Sequence, residues 1–121
     1  MAGHRADRTS EDIMRELTAI LRTVKDPRVS GTMLSIVRTE VTNDLSYATV
    51  YVSSMDGMDA AKNAVKGLRS AAGYMRRELG AALKLRHVPE LRFVADDSIA
   101  YSAHLSNTFR ALHKDDKEDE Q

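Results

Sequence analysis

The chain has no cysteine, so disulfides and thiolate metal sites are excluded, and the composition suits a reducing interior. Four histidines, His4, His87, His104 and His113, fall at spacings that make no helical or hairpin ligand pair. His87 and Glu90 have an H-x-x-E spacing, but Pro89 between them bars the helix on which such ligands converge. No apolar run approaches the roughly 18 residues of a membrane span. The opening MAGHRADRTS has no apolar h-region. The expectation is a cytoplasmic protein, neither exported by that route nor inserted, with no metal, cofactor or small-molecule substrate. A G-x-S-x-G elbow and a P-loop are missing too, so a small hydrolase built on Ser, His and Asp has no constellation to stand on. Asp96-Asp97 does not supply a carboxylate pair either, because adjacent strand residues point to opposite faces.

Net charge is also lacking: 18 basic residues balance 18 acidic ones. Their distribution is uneven. Residues 61–92 carry Lys62, Lys66, Arg69, Arg76, Arg77, Lys84, Arg86 and Arg92 against only Glu78 and Glu90, a net charge of +6. Such a concentration points to phosphate, since neutralising a nucleic-acid backbone supplies most sequence-independent affinity. A solvated helix surface is the plain alternative, because Lys and Arg are good helix formers and usually lie outside.

The 121 residues suffice for one domain that buries roughly two thirds of the surface of its unfolded chain. Ile13, Met14, Leu17, Ile20, Leu21 and Val24 make one stripe of a first helix, preceded by a Thr9-x-x-Asp12 start resembling a capping box and stopped at Asp26 by Pro27. Residues 33–42 and 47–53 read as an antiparallel hairpin across Thr42-Asn43-Asp44, with Ala48, Val50 and Val52 on one face and Tyr47, Thr49 and Tyr51 on the other. Tyr47 and Tyr51 invite a base-stacking reading, but without an RNP-like Gly/Phe pattern cross-strand packing is favoured. A second helix buries Ala61, Ala64, Val65, Leu68 and Ala72; a third buries Met75, Leu79, Ala82 and Leu83. They meet at Ala71-Ala72-Gly73 with no polar loop, as a bent continuous element on which a β-branched residue at 73 is expected to crowd the kink. A third strand spans Leu91 to Asp96. Ser98 then caps a last helix carrying Ile99, Leu105, Phe109 and Leu112. Residues 1–113 form the expected domain, and 114–121, with five acids and two lysines, an acidic disordered tail.

This α+β order, with a two-helix crossover that favours parallel pairing of the strands it joins, is that of a type II K-homology-like domain with an added C-terminal helix. The chain resembles the ribosome-binding factor A family of bacterial small-subunit maturation factors. The resemblance rests on Arg5-Ala6-Asp7-Arg8, Lys25-Asp26-Pro27-Arg28, Asp44-Leu45-Ser46 with Ala48 to Ser53, Ala71 to Gly80, Leu85 to Phe93, and Asp97-Ser98-Ile99. It implies that the G-x-x-G clamp of an ordinary K-homology domain is replaced by an Ala-x-Gly kink, here Ala71, Ala72 and Gly73; no two glycines of this chain are three apart. It further implies a non-enzymatic, monomeric assembly factor on the 30S subunit and its 16S rRNA, promoting late maturation and 5′ processing, with a role in cold adaptation. A generic single-stranded RNA module is the alternative and lacks that clamp. Where the family often has Glu-Tyr-Gly, this chain has Ala100-Tyr101-Ser102. The expected RNA contacts are Arg76 and Arg77 first, then Lys84, Arg86 and Arg92, then Lys62, Lys66 and Arg69, with Arg5 and Arg8 on a flexible N-terminal arm.

Overall fold

The computed structural model describes residues 2–98. In chain order the elements are α1 (Ala2–Leu21), α2 (Pro27–Ser30), β1 (Leu34–Val41), β2 (Tyr47–Ser54), α3 (Met58–Ser70), α4 (Ala72–Leu83) and β3 (Glu90–Asp96). The three strands form one sheet in the order β1-β2-β3. β1 and β2 pair antiparallel, whereas β2 and β3, joined through α3 and α4, pair parallel as the two-helix crossover predicts. The expected C-terminal helix and the tail at 114–121 lie outside the described residues.

Alternation along β2 sends Ala48, Val50 and Val52 inward, all fully buried. Leu91 and Phe93 of β3 and Ile36 of β1 extend this inner face, against which the helices lay Ile13, Leu17, Leu68, Met75 and Leu79. The opposite face of the sheet bears polar and aromatic side chains. In β1 the register slips between Ile36 and Arg38. This bulge gives Val37 no partner and reverses the alternation beyond it, so Thr39 is buried while Arg38 and Glu40 point out.

The structure corrects the sequence reading at several points. α1 runs from Ala2, so Thr9-x-x-Asp12 is helix interior, and Arg5 and Arg8 belong to the helical backbone rather than to a flexible arm. α1 also ends early, at Leu21. Thr23 N bonds to Ile20 O and Val24 N to Leu21 O in a tightened last turn, and the Thr23 hydroxyl donates to Ile20 O at 2.6 Å. Asp26 is not the end of that helix but the N-cap of α2, where its Oδ1 accepts from Arg28 N at 2.9 Å and Pro27 takes the first helical position. Ala82 is exposed, not inward.

The junction between the basic helices also differs. The break is at Ala71, which leaves helical geometry at φ −92° and ψ 1° while its N–H bonds back to the carbonyls of Gly67 and Leu68. Gly73 lies inside α4, and a Cβ built there meets nothing within 4 Å. The close approaches are elsewhere. A Cβ on Gly67 would come to 2.9 Å from Val29 Cγ2 and 3.1 Å from the Asp26 carboxyl carbon, and one on Gly80 to 2.8 Å from Val88 Cγ2.

Candidate nucleic-acid interface

α3 forms because Ala61, Ala64, Val65 and Leu68 recur at helical spacing and are all buried against the sheet and α2. The same periodicity leaves Lys62, Lys66 and Arg69 exposed on its outer side. α4 repeats the arrangement one break later, burying Met75 and Leu79 against α1 and exposing Arg76 and Arg77. It closes on Lys84, whose left-handed backbone (φ 51°) caps the helix through an N–H bond to Gly80 O. Arg86 follows, exposed, in the turn before β3.

Ion pairs among the described residues join Arg15 to Asp12 at 2.9 Å, Arg28 to Asp26 at 2.7 Å and Arg38 to Glu40 at 3.3 Å. None involves Lys62, Lys66, Arg69, Arg76, Arg77, Lys84 or Arg86. Among the described residues no carboxylate pairs with them, and all seven are exposed. Among the described residues Arg76 is the one of these that is hydrogen-bonded, donating from Nη2 to Val88 O at 3.0 Å. It thereby helps wall a groove of about 400 Å³ lined by Gly73, Arg76, Arg77, Gly80, Ala81 and Val88.

Arg92 does not join this surface. It lies on the outer face of the sheet, with its guanidinium carbon 3.9 Å from the centroid of the Tyr47 ring. Tyr51 on the same face is covered by Arg38 at 4.2 Å, and its hydroxyl donates to Glu40 Oε2 at 3.2 Å. The tyrosines thus make the cross-strand contacts favoured from their spacing.

Lys25, Arg28 and Arg38 lie outside the expected contact set. A cleft of about 500 Å³ at the helix break is lined by Thr23, Val24, Lys25, Asp26, Gly67, Ser70, Ala71 and Tyr74, and is bridged by a 2.6 Å hydrogen bond between the Thr23 and Tyr74 hydroxyls. Arg28 grips Asp26 through Nε at 3.0 Å and Nη2 at 2.7 Å, and its bonds hold the Asp26 pKa down at about 2. The Lys25-Asp26-Pro27-Arg28 run was the available signal, but only folding sets it beside a junction more than 40 residues later. No helix is long and apolar enough to cross a membrane, and no group of three or more potential ligands gathers to hold a metal, among the described residues.

Residues 5–109 match the family model described as ribosome-binding factor A. A ribosome-binding factor A of Acetivibrio thermocellus is 44% identical over 120 residues, spanning 96% of this chain and 97% of the relative. That of Caldanaerobacter subterraneus is 42% identical over 117 residues, spanning 96% and 95%. The solution NMR structure of a candidate ribosome-binding factor A from Thermotoga maritima superposes with a TM-score of 0.67 at 31% identity, over 74% of this chain and 85% of that one. A Thermus thermophilus ribosome-binding factor A fitted into a map of its 30S complex shares the fold at a TM-score of 0.58 and 23% identity, over 69% and 86%. With such a match running through both basic helices and all three strands, the chain belongs to the ribosome-binding factor A family.

Proposed function

We propose that this protein is a non-enzymatic assembly factor of the small ribosomal subunit, binding 16S rRNA through the outer surfaces of α3, α4 and the turn that follows. The observation that carries the reading is the set of exposed cations there, Lys62, Lys66, Arg69, Arg77, Lys84 and Arg86, none neutralised by a carboxylate among the described residues. Cations left unpaired on two rigid helices cost little to bring against phosphate, since no ion pair must first be broken. The relative fitted to a 30S complex supports the same partner.

The frame, in this proposal, is a K-homology-like domain whose clamp loop has become the break at Ala71. With no glycine-rich loop to pinch a single strand, binding rests on charge and shape, and a structured segment of rRNA near the 5′ end of 16S rRNA is the fitting target. Arg5 and Arg8, on the first turns of α1, belong to the proposed contact set. Held there in the cytoplasm, the factor favours a processing-competent rRNA conformation and leaves when maturation reshapes the site.

The test is Lys66→Glu with Arg77→Glu, two exposed positions on different helices. Melting should be unchanged within about 0.5 kcal/mol per site. Co-sedimentation with free small subunits should be lost, and precursor 16S rRNA should accumulate, most visibly in the cold. A folded double variant that still travels with small subunits would contradict the assignment.

A further inference from the structure

Strand alternation alone would turn Arg38 toward the core, two residues after buried Ile36. The bulge at Val37 re-aims it outward, opposite Tyr51. On β3, Arg92 takes the matching place over Tyr47. The open face of the sheet therefore presents two guanidinium groups, each about 4 Å from a tyrosine centroid. The ring lies against one side of each group, and among the described residues both arginines are exposed, the Arg38 side chain by 60%.

We propose that this face is a second RNA contact, a platform on which unpaired bases stack against Arg38 and Arg92. A planar guanidinium already fixed over a ring extends a stack with little further loss of side-chain freedom. The two arginines sit on outer strands, two strand spacings apart across β2 and offset along it by two residues, Arg38 opposite Tyr51 and Arg92 opposite Thr49, about 12 Å in all, a span that a short unpaired run covers. The exposed large hydrophobics on this face among the described residues are Val94 at 40% and Tyr47 at 36%, the latter already covered by Arg92, so the face is mostly polar and a weak fit for an apolar protein partner. Glu40 lies 3.3 Å from Arg38 Nε and Glu90 pairs with Tyr47. These acids weaken attraction for phosphate, so the contact works through bases and responds little to salt. Set opposite the helical cations, it would let one small domain grip a structured segment and hold a neighbouring single strand out of wrong pairing.

The full chain is titrated with an eight-nucleotide oligoadenylate while the arginine Nε–H and tyrosine ring resonances are followed by NMR. Shifts at Arg38, Arg92, Tyr47 and Tyr51 are expected, with a logarithmic salt slope shallower than about −2. Arg38→Lys with Arg92→Lys retains the charge and removes the plane, and should weaken binding at least fivefold with unchanged melting. Lys66→Glu with Arg77→Glu should leave these shifts intact, which separates this contact from the helical surface. Equal affinity in a folded Lys/Lys variant, or shifts confined to α3 and α4, overturns the platform without touching the subunit reading. A photoreactive Val94→benzoylphenylalanine chain that crosslinks on small subunits only to ribosomal protein overturns it in favour of a protein partner.

Discussion

Arg76 and Arg77 are adjacent and both exposed, yet their surroundings assign them different tasks. Arg76 ties α4 to the loop before β3 through Val88 O. Arg76→Ala should therefore cost about 1 kcal/mol, the usual worth of such a bond, and lower the melting midpoint. Arg77→Ala should leave stability within about 0.5 kcal/mol and weaken subunit binding about eightfold at 0.1 M salt, the effect of deleting one phosphate contact. The reverse pattern in thermal melts and subunit pelleting would exchange the two roles. The glycines offer a second comparison at this scale. Gly73→Ala adds a methyl in open space within α4 and should stabilise by about 0.5–1 kcal/mol through helix propensity. Gly67→Ala drives a methyl against Val29 and Asp26, and overpacking of about 1–3 kcal/mol should exceed that same gain. Urea midpoints that move in the same direction for both variants would refute this account.

At the scale of elements, the four residues of α2 depend on their cap more than on their length. Asp26 accepts the first free N–H of α2 while its carboxylate is clasped by Arg28, and the bond to Arg28 is the main reason its pKa falls from 3.8 to about 2. A carboxyl whose folded pKa lies below its unfolded value stabilises fully above the latter, and that contribution fades as pH drops toward the folded pKa. The Asp26 contribution is thus complete above about pH 4 and disappears on acidification toward pH 2. Asp26→Asn retains a capping oxygen but no charge. The melting gap between wild type and this variant should be constant from pH 7 to 5 and close between pH 4 and 2. A gap unchanged at pH 2 would show that the Arg28 clasp contributes nothing. Helices α3 and α4 illustrate the opposite dependence, since each is held by a buried stripe and their break at Ala71 needs no glycine.

For the whole molecule, zero net charge conceals a polarised surface. One side exposes the cations of α3 and α4, and the other pairs its arginines with tyrosines and glutamate. Association with small subunits should accordingly weaken with salt. About five phosphate contacts correspond to a slope near −4 in log affinity against log salt, measurable by pelleting across a potassium series. A flat profile would shift the explanation from charge to shape.

The pattern of apolar residues determined the order of the longer helices and strands and the inward sets Ala48, Val50, Val52 and Leu68, Met75, Leu79, and the two-helix crossover that this order implies gave the parallel pairing of β2 with β3. Periodicity is a local property and can be counted along the chain. Exposure of Lys62, Lys66, Arg69 and Arg77 was legible for the same reason, as positions off an apolar stripe. The register slip at Val37 was not, because a bulge is decided by which residues of β2 lie opposite. The placement of Arg92 on the far face of the sheet depended on the strand's orientation over the core, which its charge could not disclose. Gly67 looked like an ordinary helix residue and Gly73 like a hinge; only the packing of α2 on α3, absent beside Gly73, reverses those roles. α2 escaped notice because four residues show no period, and its cap became meaningful only with Arg28 folded back on Asp26. What tertiary structure decided was therefore which side chains from distant parts of the chain come into contact, since contact energies fall off within a few ångströms and sequence separation does not report them.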